Sequence, residues 1–264
     1  MGIKSVVLIG AGRVATQLGL TLIRHQIRIL QVYSRSARSA SKLAKIVDSD
    51  FTDDLSNLNQ QADLYIISVT DDSIRQIISR LSLDNKIVVH TSGSVPMEIL
   101  APVSASFGVF YPLNTFSKEK NINLSSTPFC IEASDPQTEQ NLLDLARLIS
   151  SDVRLINSQQ RAVIHLAAVF ACNFTNFMMV NADEILKKQG ISYEILLPLI
   201  NETISKLSAI PPKEAQTGPA LRNDREILKK HLEMLTKDPD KKLIYKLISE
   251  QIQTYFTTKQ IQNP

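Results

Sequence analysis

Near the amino terminus, the stretch Val6-Val7-Leu8-Ile9-Gly10-Ala11-Gly12-Arg13-Val14-Ala15-Thr16-Gln17-Leu18 narrows the folds open to this chain more than any other. Four apolar, largely β-branched residues enter a glycine-rich turn, and the chain leaves that turn with helical spacing of its apolar residues. Strand, turn and helix in this order form the opening of a βα unit that binds a dinucleotide. Gly10 permits the tight turn, Gly12 lets backbone approach a pyrophosphate with no Cβ in the way, and Ala15 allows close packing of helix on strand. The phosphates then meet the helix N-terminus at Arg13 and Val14.

A second strand, Ile27 to Tyr33, follows about twenty residues after the glycines, as such a unit requires. Its end decides between cofactors, because an NAD site places Asp or Glu there to accept hydrogen bonds from ribose hydroxyls. Here the chain reads Val32-Tyr33-Ser34-Arg35-Ser36-Ala37-Arg38, with no acid. Ser34 and Ser36 can donate to a 2′-phosphate, and Arg35 or Arg38 can pair with its oxygens, so the expected cofactor is NADP(H). The competing use of Arg35 and Arg38 is as the solvated start of the next helix.

Alternation continues. Ala37 to Val47 reads as helix, Asp63 to Val69 as a buried strand, Asp71 to Leu81 as helix, and Lys86 to His90 as strand, with a short helix near Pro96 to Leu100. A strand runs into the loop around Tyr111-Pro112, and Thr127 to Ala133 and Asp152 to Ile156 are closing strands around the helix Pro136 to Ile149. The expected fold class is α/β, a doubly wound and mainly parallel sheet over residues 1–157. Turns at the carboxyl ends of such strands face the ligand. Ser68, Val69 and Thr70 end one strand and Ser92 follows the next, so these residues are expected to border the cofactor. His90 is a candidate acid, base or hydrogen-bond donor, or a histidine held structurally at a strand end. Tyr111, Asn114 and Thr115 are candidate substrate contacts, with Phe116 filling an apolar gap.

From Ser158 onward no period-two segment occurs, and residues 158–264 are expected to form an all-α domain for substrate binding and dimerisation. Its first helix, Ser158 to about Gln189 with Gly190 as the stop, would run about 45 Å. It is apolar around most of its circumference and is expected to be buried on nearly all sides, as the spine of the domain or of a homodimer. At 100° per residue Arg161, His165 and Asn176 share one stripe with Asn173 beside it, facing either a cleft or a hydrogen-bonded core network. Further on, Arg222, Asp224 and His231 are near a Gly-Pro turn; they either reach an active site or serve as helix cap and surface charge. Helices are expected over Ile195 to Ser208, Arg225 to Leu235 and Leu243 to Phe256.

The 264 residues are 44% hydrophobic with a formal charge of +3, which supports a real core and gives no basic block for nucleic acid. Cys130 and Cys172 form neither a metal-ligand set nor a disulfide framework. No targeting pattern is evident, and His165, Asn173, Thr175 and Asn176 interrupt the most apolar segment; a soluble cytoplasmic protein with no membrane span and no metal is expected.

The chain resembles the superfamily of pyrroline-5-carboxylate reductase, ketopantoate reductase, deazaflavin-dependent NADP reductases and 3-hydroxyacid dehydrogenases. It is most similar to a bacterial branch of Rossmann-like proteins with a C-terminal helical domain of unknown function. Carrying the likeness are Gly10-Ala11-Gly12-Arg13-Val14-Ala15, His90-Thr91-Ser92-Gly93-Ser94, Tyr111-Pro112-Leu113-Asn114-Thr115-Phe116, His165 to Phe174, and Thr217-Gly218-Pro219-Ala220-Leu221-Arg222. The resemblance implies a Rossmann half and a 6-phosphogluconate-dehydrogenase-like helical half. Ketopantoate reductase and the hydroxyacid dehydrogenases carry Lys-x-x-x-Asn on the long helix. With Asn173 as that asparagine, the lysine position holds Val169, which does no acid/base work. His165 is the expected substitute, with Asn173 orienting substrate and His90 supporting. This implies an NADP(H)-dependent oxidoreductase acting on a small carbonyl, hydroxyl or imine; a cofactor-binding protein without turnover and a deazaflavin or flavin reductase are the alternatives.

Overall fold

A computed structural model describes residues 2–116 and 122–262, with side chains as far as residue 257. The chain packs as two compact units, Met1–Asn173 and Phe174–Pro264. The first unit therefore extends past Asn157 and includes the start of the long helix.

Its elements are β1 (Ser5–Ile9), α1 (Arg13–Arg24), β2 (Arg28–Tyr33), α2 (Ala37–Val47), β3 (Asp50–Thr52), β4 (Leu64–Ile67), α3 (Asp71–Ile78), β5 (Ile87–His90), β6 (Phe107–Pro112), β7 (Phe129–Ala133), α4 (Pro136–Ile149), β8 (Val153–Leu155) and α5 (Ser158–Ala168). The strands form one sheet in the order β3-β2-β1-β4-β5-β6-β7-β8. Among the described residues only β6 and β7 pair antiparallel. Every residue of β1 and β4 is buried, which explains their unbroken apolar runs: both faces of the sheet are covered. Successive β1 side chains serve opposite cores. Val6 and Leu8 pack with Leu18, Leu22 and Leu43, whereas Val7 and Ile9 pack with Tyr65, Ile67 and Ile74. β3 escapes sequence reading because it has three residues, none buried, with Phe51 half exposed.

Register places the ligand edge. Ile9 lies beside Tyr33 on one side and Ile67 on the other, and Ile67 lies beside His90, so the four strands end in one row. Local capping then sets where the helices begin. Ser36 accepts from the Ser39 amide to start α2, and Asp135 accepts from the Gln137 and Thr138 amides to start α4 behind Pro136.

After α5, which opens with a reciprocal Asn157–Gln160 capping box, the long helix passes through a π-helical segment, Val169–Phe174, and continues as α6 (Thr175–Lys187). A π segment adds roughly one residue of rotation, about 100°, so the α-helical stripe does not run on from His165 to Asn176. Arg161 is buried and His165 half-buried, while Asn173 and Asn176 are exposed. The expected burial of this helix is also not met within one chain. Leu166 is 60% exposed and Phe170 64%, and Arg161 is the one fully buried residue among its described positions. By length and composition Ser158–Lys187 is apolar enough to cross a membrane.

The second unit, after its share of the long helix, contains α7 (Leu197–Lys206), the single-turn α8 (Pro212–Ala215), α9 (Arg225–Met234) and α10 (Pro239–Gln262). Gly190 turns the chain at φ +67°. Arg222 lies in the loop before α9, and Asp224 caps that helix by accepting from the Ile227 amide. His231 Nδ1 lies 2.8 Å from the Tyr245 hydroxyl within this unit.

Candidate active site

The row of strand ends delivers its turns into a cavity of about 540 Å3. Gly10, Gly12, Arg13 and Val14 line it from the first turn, and Ser34 and Arg35 from the second. Ser68, Val69 and Thr70 follow β4, Ser92 follows β5, and Tyr111 and Asn114 come from the end of β6. His165 reaches it from α5. A hollow of about 610 Å3 lies at the start of β2, at the other end of the sheet from the strand termini that bind ligands in this architecture.

The two glycines have different reasons. Gly10 sits at φ +128°, and a Cβ there would lie 2.1 Å from the Ser68 carbonyl oxygen, so the fold itself demands glycine. Gly12 has an ordinary backbone, φ −80° and ψ −169°, and a Cβ would meet nothing within 4 Å. Among the described residues no protein atom explains that glycine, and backbone left bare at this turn fits a ligand pressed against it. The N-terminus of α1 has no side-chain cap and no acid in its first turn, which leaves its amides open to an anion. Among the described residues neither Arg13 nor Arg35 is in an ion pair. The residues present therefore fit a pyrophosphate at the first turn and a further phosphate at the second. Ser36 lies outside the lining, with its hydroxyl capping α2.

Most hydroxyls around the cavity hold the turns in place. Thr91 donates to Ser68 Oγ at 3.2 Å, Ser92 Oγ accepts from the Ser94 and Val95 amides, and Ser94 Oγ donates to the Asp71 carboxylate. Asn114 donates to Thr127 Oγ1 at 2.8 Å and accepts from the Thr115 amide; Thr115 itself lies outside the lining.

The two histidines differ. His90 is fully buried behind the cavity; its Nδ1 accepts from the Ser92 amide at 3.2 Å, which leaves Nε2 to donate to the Pro96 carbonyl at 3.3 Å. Burial first, and then the Arg161 charge, push its pKa down to about 4. It is a neutral, doubly hydrogen-bonded strand-end histidine. His165 is half-buried in the cavity wall, its ring packed where a Cβ on Gly93 would stand 2.7 Å from Nδ1. Tyr111 OH lies 3.3 Å from the same Nδ1, with the rings edge-on at 77°. Burial raises the Tyr111 pKa, so its phenol keeps its proton at neutral pH. Asn173 is exposed and outside the lining, and Arg222 belongs to the second unit.

A Rossmann-like domain model matches residues 2–114, and the Domain of unknown function (DUF2520) matches residues 127–252. No curated protein gives a significant match. Among solved structures, a Bacteroides fragilis protein named a "putative NADP oxidoreductase" is 42% identical, with 96% of this chain and 98% of that one covered at a TM-score of 0.92. The chain belongs to the family of Rossmann-like proteins with a DUF2520 domain. Thermotoga maritima protein TM1727, at 22% identity, shares the fold with a TM-score of 0.76 over 94% of this chain and 98% of that one. So does 1-pyrroline-5-carboxylate reductase from Streptococcus pyogenes, at 12% identity, a TM-score of 0.62, and 95% and 98% coverage.

In this DUF2520 protein, the sequence places the turns Ser68 to Asp72 and His90 to Ser94 at the cavity, but it shows neither the Ser94–Asp71 bond, nor the packing of His165 on Gly93, nor the Tyr111–His165 contact. Asp71 reads as an ordinary first-turn acid of α3, and Gly93 as a turn residue; only the ring packed against it shows its second reason. Two outcomes follow. Gly10→Ala lowers the melting midpoint by about 10 °C or more, whereas Gly12→Ala leaves it within about 2 °C and weakens dinucleotide binding, as thermal melts with titration calorimetry would show. The unfolded state binds more protons than the native state between the unfolded His90 pKa of about 6.5 and the folded value of about 4. Stability that is full above pH 6.5 therefore falls by up to about 3 kcal/mol on going down to pH 4, and urea unfolding of His90→Asn shows a smaller decline.

Proposed function

We propose that this protein is an NADP(H)-dependent oxidoreductase that transfers a hydride to or from a small carbonyl, hydroxyl or imine substrate. The observation that carries this reading is His165, paired with Tyr111, in the same cavity as the open α1 N-terminus and the unpaired Arg13 and Arg35. The likeness at 42% identity to a protein named for NADP chemistry supports it.

The cofactor, when bound, supplies the hydride. Gly12 and the first-turn amides of α1 receive its pyrophosphate, with Arg13 beside them. Ser34 and Arg35 receive the 2′-phosphate, where a carboxylate would repel it. Ser68, Thr70 and Ser92 border the nicotinamide side. His165 holds the proton that accompanies hydride transfer. A Tyr111 hydroxyl that donates to Nδ1 leaves that proton on Nε2, which sets the tautomer and orients the ring. Asn173, outside the cavity lining, remains a candidate for substrate orientation.

A homodimer through the helical domain completes the reading. A soluble cytoplasmic protein that exposes Leu166, Phe170 and Phe177 on one long helix needs a second apolar surface, and an identical copy supplies it. Light scattering at micromolar concentration is expected to give twice the 29.4 kDa chain mass, and a single-chain mass overturns the dimer.

Calorimetric titration tests the cofactor. NADPH is expected to bind at least tenfold more tightly than NADH, about 1.4 kcal/mol, and Ser34→Ala/Arg35→Ala removes the preference. With NADPH bound, turnover is screened on small carbonyls and imines, and His165→Ala lowers it by about two to four orders of magnitude. Val169, at the position where related dehydrogenases carry lysine, favours a second reading: cofactor binding without turnover. Tight NADPH binding with no oxidation across the panel would support that one.

A further inference from the structure

Arg161 has no exposed surface, yet it carries a full charge and contacts neither the cavity nor solvent. Its guanidinium reaches three segments. Nη1 pairs with Glu132 of β7 at 2.5 Å. Nη2 donates to the Val95 carbonyl at 2.6 Å and to Ser158 Oγ at 3.0 Å, and Nε donates to the Ser92 carbonyl at 3.2 Å. Glu132 closes the set, accepting from the Ser158 amide at 2.8 Å and its hydroxyl at 2.7 Å, at the first turn of α5.

We propose that Arg161 is a positioning residue. With Glu132 it fastens the Ser92–Val95 turn to the start of α5, and so fixes His165 against Gly93 and Tyr111 in the cavity. This rests on the reading of His165 as the proton-bearing group. Arg161 and His165 are four residues apart on regular α-helix, so they share a face one turn from each other. The turn that Arg161 grips at Ser92 and Val95 contains Gly93, against which the His165 ring packs. Displacing turn from helix by an ångström would break the Tyr111 contact, already at 3.3 Å, or drive the ring into the backbone.

Stability alone does not require this arrangement. A buried ion pair exchanged for apolar residues of similar size often leaves stability unchanged, because desolvation offsets the attraction between the charges. What apolar residues do not reproduce is direction: a planar fork aims donors at two carbonyls of one turn and a carboxylate of a neighbouring strand at once. A lysine in its place keeps the charge against Glu132 and loses the fork.

The test compares the full-length wild type, the double variant Arg161→Met/Glu132→Leu, and Arg161→Lys. The chain has 4 histidines and 8 glycines, so selective labelling of both resolves nuclear Overhauser contacts between the His165 ring and the Gly93 α-protons. The double variant is expected to unfold cooperatively within about 5 °C of wild type, to bind NADPH within about threefold, and to lose at least two-thirds of the His165–Gly93 contact. Arg161→Lys is expected to lose the contact too, while folded. A wild-type contact in either folded variant overturns the proposal. If neither variant folds, the pair serves stability rather than position, and the proposal falls as well. Failure of the wild type to bind NADPH would sink the cofactor reading, while the contact measurement would still decide the role of Arg161.

Discussion

The first unit depends on how closely β1 and β4 approach at their carboxyl ends. At Gly10 the backbone runs so near the Ser68 carbonyl that no side chain fits, and this contact lies where the sheet order turns from β1 toward β2 on one side and β4 on the other. Parallel strands in register end together, so their turns open on one edge. The helix that starts after the Gly10 turn then directs unsatisfied amides into the same space as the turns of β2, β4 and β5. One steric constraint thereby gathers an uncapped helix N-terminus, a row of small polar turns and a cavity.

Polar side chains around that cavity divide into those that build it and those with few protein partners of their own. Ser92, Ser94, Thr91, Asn114 and Ser36 bond to neighbouring backbone, hydroxyl or carboxylate groups and hold their loops in shape. Arg13, Arg35, Tyr111 and His165 present charge or transferable protons without a cage of protein partners. The two histidines make the contrast plain. His90 has both ring nitrogens bonded and its charge suppressed by burial, whereas His165 touches one hydroxyl and borders open space. Residue type was the same, and surroundings made one structural and the other available.

The long helix gives the opposite lesson. Its apolar character was plain in the sequence, but Leu166, Phe170 and Phe177 are each at least half exposed, so apolarity alone did not tell which side chains the fold buries. The π segment at Val169–Phe174 also shifts the helix phase, which separates His165 and Arg161 from the asparagines beyond. Counting at 100° per residue holds only while every hydrogen bond spans four residues.

From residues alone came the alternating strands and helices of the first half, the helical second half, the glycine turn, and most of the cavity lining from Gly10 to Tyr111. These follow from local rules, since side-chain period and turn stereochemistry act over a few residues. β3 was too short and too exposed to show a period. The separate fates of His90 and His165, the second reason for Gly93 and the sealed Arg161–Glu132 pair were decided by tertiary structure, because each depends on groups 29 or more positions apart in sequence meeting at one point or on the depth at which a side chain is buried. The strand end itself supplies the His90 partners, the Ser92 amide and the Pro96 carbonyl, but the long-range partners and the desolvation are set by that meeting, and no local pattern encodes them.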